Sequence, residues 1–431
     1  MAENTREIVL DTLLTLEREE EFSHKLIKAV LDKYDYLDGR EKSFIKRVTE
    51  GTIERQLELD YYLNHFSSVS VNKMKPLIRC LLRMSVYQLI YMDAIPDSAV
   101  CNEACKLAAK RKFHNLKGFV NGVLRNIAKN KATLPLPDEN KNITEYLSVK
   151  YSMPRWLVEL WLEEYGKDST VILLKGLLEI HPVSLRFRTD LTTKEQESFL
   201  DAMREKGCKV TQSEYLPYIW LVENVENISE LPGFDTGAFT IQDVSSALAV
   251  EEASIQQEDF VMDICAAPGG KSILASERAR KVLARDVSEA KVAIIEQNLE
   301  RMQVKNVITQ VYDATMSDEA YRERADVLIV DVPCSGLGVI GKKRDIKYHI
   351  NKEKLVSIVE LQKKIVENSW QYVKPGGVLL YSTCTIHRAE NQDMVQWIVE
   401  QFPFEVESST QLLPGFQNTD GFFYARLRRK E

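Results

Sequence analysis

Long apolar runs are missing from this chain. No stretch approaches the roughly 18 continuous apolar residues of a membrane span. The opening Met1-Ala2-Glu3-Asn4-Thr5-Arg6 leads into an acidic amphipathic helix and has no apolar signal core. These absences predict a cytoplasmic protein with no membrane partner. Cysteine is sparse: seven residues, an odd number spread over a large chain, argue against a disulfide framework. Cys101 and Cys105 stand four apart on an expected helix with no second cysteine pair nearby, so they read as small buried residues and no metal site is expected. Internal repeats and low-complexity tracts are also lacking.

Excess positive charge is absent too. Lys and Arg number 57 against 64 Asp and Glu, a formal net charge of −7, so the total does not mark a nucleic-acid binder. The distribution says more. Lys106, Lys110, Arg111, Lys112, Lys117, Arg125, Lys129 and Lys131 follow one another with no acid in the span. Further basic clusters are Lys342-Lys343-Arg344 and the tail Arg426, Arg428, Arg429, Lys430. Local patches of this kind can neutralise phosphates on an acidic protein. A solvated helix face and a charged tail are the plainer alternative.

At 431 residues, 44% hydrophobic and 28% charged, the chain has a soluble globular balance and is too long for one ordinary core. Residues 1–132 read as helices, with apolar positions at helical spacing in Leu77-Ile78, Leu81-Leu82, Met84, Val86-Tyr87 and Leu89-Ile90. Pro76 suits the first turn of that helix, and Asp97 begins another. Leu134-Pro135-Leu136-Pro137-Asp138 marks a boundary. Residues 143–237 mix helical segments (Trp156–Tyr165, Lys194–Lys206) with short strand-like runs (Val183–Arg188, Tyr218–Val222), a small α+β domain. Residues 238–431 alternate strand and helix, with strands expected at Phe260–Cys265, Val282–Arg285, Val307–Val311, Val327–Val330 and Val378–Ser382. That alternation predicts a mostly parallel sheet covered by helices, with ligands at the carboxyl ends of its strands.

The chemistry-bearing residues fall at those ends. Asp263-Ile264-Cys265-Ala266-Ala267-Pro268-Gly269-Gly270-Lys271 joins a strand to a helix, and its glycines let backbone approach a ligand closely. The loop is neither Gly-x-Gly-x-x-Gly nor a Walker loop, so neither a dinucleotide nor ATP is directly indicated. Asp286 follows the second strand about 20 residues on, where an acid can bond ribose hydroxyls. Asp313 follows the third strand and could accept from an adenine amino group, and Asp331 follows the fourth. Singly each could be a helix cap; jointly they favour a cofactor pocket.

Two cysteines close strands beside that loop: Cys334 in Asp331-Val332-Pro333-Cys334-Ser335-Gly336 and Cys384 in Tyr381-Ser382-Thr383-Cys384-Thr385. A thiolate at a strand end can add to an electron-poor ring carbon. Cytosine needs such help, because its C5 is a poor nucleophile until something adds at C6. His387, three residues past Cys384, raises a Cys–His hydrolase as an alternative; a surface or capping histidine is the expected reading.

Together the Asp263–Lys271 run, the Asp331–Gly338 segment and Ser382-Thr383-Cys384-Thr385 resemble the RNA cytosine-C5 methyltransferases of the Nop2/Sun/Fmu family. Gln242-Asp243-Val244-Ser245-Ser246 and Glu390-Asn391 match the same pattern. Residues 1–132, above all Phe119-Val120-Asn121-Gly122-Val123-Leu124-Arg125, resemble the NusB-like helical RNA-binding module. The resemblance implies a multidomain protein: an all-α NusB-like domain, a small α+β RNA-binding insert and an α/β Rossmann-like class I methyltransferase domain. It implies S-adenosylmethionine as methyl donor, held by Cys265, Ala266, Ala267, Pro268, Gly269, Gly270, Lys271, Asp286, Asp313 and Asp331. It further implies Cys384 as nucleophile, Cys334 as the aid to product release, and Asp331 as a contact to the cytosine. A NusB-like front end implies 16S rRNA as substrate, free or in a partly assembled small subunit, and a monomer. Transfer to tRNA and a non-catalytic RNA-binding or antitermination factor are the competing readings; paired pocket thiols disfavour the latter. Arg285 before Asp286, and Ser272-Ile273 after Lys271, depart from the family's usual residues.

Overall fold

The computed structural model describes residues 4–19, 22–179, 182–225 and 227–431. Of the opening stretch, Met1, Ala2 and Glu3 lie outside the described residues. Two compact units result: Met1–Leu178 with Lys342–His349, and Glu179–Gly341 with Ile350–Glu431.

The first unit is helical, and its helices start where local chemistry says they should. Asn4 caps Thr5–Arg18 by accepting from the Arg6 amide at 3.0 Å. Asp38 and Glu41 form a reciprocal capping box at the start of Gly39–Glu54. Pro76 occupies the first turn of Pro76–Tyr91, whose missing amide hydrogen costs nothing there. The helix Lys117–Asn130 buries Val120, Val123, Leu124 and Ile127, spaced three and four apart. These pack in one core with Leu10, Val48, Leu81 and Val86. Its opposite face exposes Gly118, Gly122, Arg125 and Lys129. The expected helix around Trp156–Tyr165 is the first part of Arg155–Gly176, which breaks at Gly166 with a φ of +75°. Together with Ile143–Lys150 it belongs to this unit.

Segment 342–349 completes the unit although it lies far along the chain. Lys347 is buried, its Nζ donating to the Glu54 carbonyl at 2.7 Å and the Ser152 carbonyl at 2.6 Å. Arg344 pairs with Glu50 at 2.5 Å and Glu54 at 2.8 Å. The basic cluster read from the sequence at Lys342-Lys343-Arg344 therefore spends its arginine on internal carboxylates.

The second unit holds two sheets. A small antiparallel one has the order β2-β3-β1-β4, with β1 Val183–Phe187, β2 Lys209–Gln212, β3 Ile219–Glu223 and β4 Phe239–Ile241. The large one has the order β10-β11-β9-β8-β5-β6-β7. Its strands are β5 Phe260–Asp263, β6 Lys281–Asp286, β7 Val307–Val311, β8 Ala325–Asp331, β9 Val373–Thr383, β10 Phe404–Leu412 and β11 Phe422–Arg429. Strands β5 to β9 run parallel, and β11 and β10 join antiparallel at one end. The central strands are apolar on both faces, as in Val327–Val330 and Val378–Tyr381, because helices cover both sides. The chain steps from β5 outward to β7, then returns to β8 on the other flank of β5. The crevice opened at that reversal lies past the carboxyl ends of β5 and β8.

The basic tail is a correction to the sequence reading. Arg426, Arg428 and Arg429 belong to β11 inside the sheet, and all three are paired. Arg426 and Arg428 meet Glu407 at 2.7 and 2.8 Å, and Arg429 meets Glu323 at 2.8 Å.

Candidate active site

Asp263 ends β5 in full burial. Its Oδ2 accepts from Ser272 Oγ at 2.7 Å, while Oδ1 has no hydrogen-bond partner among the described residues. Burial pushes its carboxyl up to about 7, against the opposing pull of Ser272 and Lys271. The loop beyond it turns at Gly269, whose φ of +103° is natural only for glycine. Any Cβ there would also sit 3.2 Å from Ile295 Cγ2. A cavity of about 180 Å³ opens over this loop, lined by Asp263, Cys265, Ala266, Ala267, Pro268, Gly270, Lys271 and Asp331. Ile241, Gln242, Asp243 and Ser246 close it from the other side. Gln242 is held in place by Arg186 of β1, Nε to Oε1 at 2.7 Å, so the small sheet helps shape the cavity.

The remaining acids read from the sequence fall differently. Asp286 is buried and accepts the Ala267 amide at 3.0 Å through Oδ2. Its Oδ1 takes the Val287 amide at 2.8 Å and faces Lys291 Nζ at 3.0 Å. It fastens the loop and does not line the cavity. Asp313 is exposed and also outside the lining; Thr315 donates to its Oδ1 from amide and hydroxyl at 2.9 and 2.7 Å, which holds the carboxyl below its usual range.

Asp331, at the end of β8, joins three parts of the site. Oδ2 meets Lys271 Nζ at 2.7 Å and Oδ1 accepts from Ser382 Oγ at 2.7 Å. Burial pulls the Lys271 ammonium down, but Asp331 more than offsets this, and the lysine stays above its ordinary value. Its Nζ also lies 5.2 Å from the centre of the Phe422 ring.

Cys334 Sγ and Cys384 Sγ are 3.1 Å apart, brought together because β8 and β9 are neighbours in register with Asp331 opposite Ser382. The hydrogen bond to Cys384, then burial, push the Cys334 thiol well above its ordinary value. Beneath the pair lies a buried polar frame. Ser335 donates to Glu390 from its amide at 2.9 Å and its hydroxyl at 2.5 Å, and lies 2.7 Å from Thr385 Oγ1. Gln362 bonds both Glu390 and the Pro333 carbonyl at 3.0 Å. Asn391 accepts from Thr383 at 2.6 Å and donates to the Thr385 carbonyl at 3.0 Å. Burial raises the Glu390 carboxyl despite these bonds. Glu390 and Asn391 thus carry the loops that carry the thiols. Sequence reading matched them to a pattern but assigned them no role, since only the fold brings position 390 under position 335. His387 was expected at the surface or as a cap; it is buried and is the cap residue of the turn Arg388–Glu390, where a positive charge on it would favour ionised Glu390.

A family profile described as "16S rRNA methyltransferase RsmB/F" matches residues 252–428, and one described as "NusB family" matches residues 3–129. The probable ribosomal RNA small subunit methyltransferase B of Bacillus subtilis is 31% identical over 450 residues, covering 99% of both chains. The chain belongs to the RsmB/F methyltransferase family. The ribosomal RNA small subunit methyltransferase B of Salmonella arizonae is 29% identical, with 91% of each chain covered. Among solved structures, PH0851 superposes with a TM-score of 0.81 at 25% identity over 100% of both chains. NSun6 from Pyrococcus horikoshii, with a TM-score of 0.57 and 20% identity over 64% of this chain and 98% of its own, shares the fold.

As an RsmB/F-family member the protein is an S-adenosylmethionine-dependent rRNA methyltransferase. The residues present fit that donor. A buried carboxylate oxygen without a partner, Asp263 Oδ1, adjoins a cavity whose floor is Cys265–Lys271. That is what a cationic, amine-bearing ligand requires.

The fold also re-sorts the basic stretch of the NusB-like part. Acids from elsewhere in the unit meet half of it: Lys110 pairs with Glu7 at 2.6 Å, Arg111 with Glu7 and Asp11, Lys106 with Glu103 at 2.8 Å and Lys131 with Asp97 at 3.0 Å. Lys112, Lys117, Arg125 and Lys129 are exposed and form no ion pair among the described residues.

Proposed function

We propose that this enzyme methylates C5 of a cytosine in 16S rRNA through a transient bond between Cys384 Sγ and C6 of the base. The observation that carries the reading is the 3.1 Å approach of Cys334 and Cys384 at adjacent strand ends, beside the Lys271–Asp331 pair. A binding protein has no use for two thiols held this way by a buried frame. Bound S-adenosylmethionine would supply an electrophilic methyl group, with Cys265–Lys271 and Asp263 lining its seat and Asp286 holding the loop in shape. Asp313, exposed and off the lining, is proposed to meet the adenine end only.

The chain's own residues divide the remaining work. Cys384 acts as a thiolate, favoured by the ammonium of Lys271 and by the Cys334 thiol, which keeps its proton and donates it. Addition at C6 makes C5 electron-rich. Asp331, fixed by Lys271 and Ser382, contacts the amidine edge of the cytosine and offsets charge that builds on the ring. After methyl transfer the C5 proton passes to a water molecule, its C–H electron pair becomes the C5=C6 bond, and Cys384 Sγ leaves as a thiolate. Cys334, beside the leaving sulfur, assists that elimination. Such chemistry needs a base outside any helix stack, so the substrate segment is single-stranded or flipped out. The exposed Lys112, Lys117, Arg125 and Lys129 of the NusB-like part would hold RNA backbone, which orients without reading sequence.

The test is to incubate the purified protein, expected to be a monomer, with tritiated S-adenosylmethionine and either naked 16S rRNA or a partly assembled small subunit. Nuclease mapping and bisulfite sequencing then locate the label. A single 5-methylcytosine in either substrate supports the reading. Label confined to tRNA, or at a site other than cytosine C5, would overturn it.

A further inference from the structure

We infer that the amino edge of the large sheet is a second RNA-backbone site, away from the catalytic edge. A cavity of about 840 Å³ lies there, and its cations are Arg280, Lys281, Lys305, Arg324 and Lys374. Its one acid is Glu323. The placement follows from topology. Lys281 opens β6 and Phe260 opens β5; Lys305 stands two residues before β7 and Arg324 immediately before β8; Lys374 is the second residue of β9. Because all five strands are parallel, these positions share one edge, and the thiols, Asp331 and the Asp263–Lys271 loop share the other.

Charge separates the two edges. Lys374 is paired with Asp326 at 2.6 Å, and Glu323 is already engaged by Arg429 at 2.8 Å. Arg280, Lys281, Lys305 and Arg324 are exposed and form no ion pair among the described residues. The carboxyl edge instead gathers Asp263, Asp286, Asp313 and Asp331. Four unpaired cations from three segments, on a chain of net charge −7, form a local positive field that favours an anion. Phe260 and Tyr321, both in the lining, stack at 6.4 Å, and Arg285 lies 4.4 Å from the Tyr321 ring centre. An open basin with cations spread around its rim suits repeated phosphates better than a single one.

The inference rests on the protein acting on rRNA and adds where that RNA goes. A strand of five or six residues separates the edges by roughly 15–20 Å. Only an RNA long enough to continue around the domain can occupy both.

The experiment uses the full chain and three triple variants. One is Lys281→Glu with Lys305→Glu and Arg324→Glu, and a second replaces the same three by Gln. A control carries Lys352→Glu, Lys354→Glu and Lys363→Glu on the helix Lys352–Ser369, none of which lines the cavity. Equilibrium binding of naked 16S rRNA is measured against salt, with S-adenosylmethionine binding and thermal unfolding as checks on the fold. The reversal should weaken RNA binding at least tenfold and flatten the slope of log K against log salt by about 0.7 for each phosphate no longer neutralised. The Gln variant should lie between it and the wild type, and the control should stay within about twofold. Wild-type affinity and slope in a folded reversal variant, or an equal loss in the control, would overturn the site. Since the readout is binding, a wild type that binds this RNA without methylating it would count against the proposed reaction and leave the site standing.

Discussion

Asp331 Oδ2 lies 2.7 Å from Lys271 Nζ, and its other oxygen accepts from Ser382 two residues before Cys384. One carboxylate therefore couples the loop after β5 to the strand end that bears a thiol. Replacing Asp331 by Asn keeps the shape and removes the charge. Lys271, largely buried, would then hold an unanswered ammonium beside Cys384. We expect methyl transfer to fall at least 100-fold, with a stability loss of about 1–3 kcal/mol after allowing for the partial exposure of Asp331. Steady-state turnover and a denaturant midpoint check the two effects separately. Turnover within threefold of wild type would remove Asp331 from the reaction.

The two thiols should separate in kind. Cys384→Ala should abolish methylation while binding the donor normally. Cys334→Ala should accumulate a protein–RNA adduct, seen as a slowly migrating band on a denaturing gel in the presence of donor. The adduct should vanish in the double variant. A Cys334→Ala protein that turns over normally and shows no such band would refute the release role.

On the NusB-like unit, the sequence alone pointed to Lys110, Arg111 and Lys112 as RNA contacts. Folding pairs the first two with Glu7 and Asp11 of the first helix. Reversing Arg125 and Lys129 should therefore weaken rRNA binding severalfold and reduce its salt dependence, whereas Lys110→Glu should act mainly by loosening the helix Thr5–Arg18. Filter binding at three salt concentrations distinguishes them. Equal effects from both would mean the Lys117–Asn130 face is not privileged.

That reassignment shows where sequence reading stops. The parallel strands were legible because apolar runs buried on both faces are distinctive, and the three motifs announced themselves by falling at strand ends. What escaped was what depends on distant partners. Arg426, Arg428, Arg429 and Lys430 look like a charged tail until Glu407 and Glu323 arrive to pair the arginines; in the fold those arginines belong to β11, between β9 and β10. Asp286 reads as a ribose ligand from its position, and only the fold adds that its oxygens also take the Ala267 and Val287 amides. Glu390 gave no sign of its role, because that role is set by Ser335 and Gln362.

Lys347 offers a test of how segment 342–349 is held. Burial lowers its pKa to about 7 from an ordinary 10.5, outweighing Glu54, which pulls it back up. Between those values the unfolded chain carries a proton that the folded one does not, so protons favour unfolding. The cost is full below about 7 and is relieved as pH rises toward 10.5. To stay clear of thiol ionisation the window is kept below about pH 8.5. Raising pH from about 7 to 8.5 should then stabilise the helical unit by about 1–2 kcal/mol through this group. Lys347→Met, similar in length and uncharged, should lack that gain. Because the whole chain need not unfold in one step, the readout is hydrogen exchange of the helix Gly39–Glu54, which supplies the Glu54 carbonyl, compared between wild type and variant at each pH. Protection differences that do not change with pH would mean Lys347 stays charged in the folded protein, its ammonium satisfied by the Glu54 and Ser152 carbonyls.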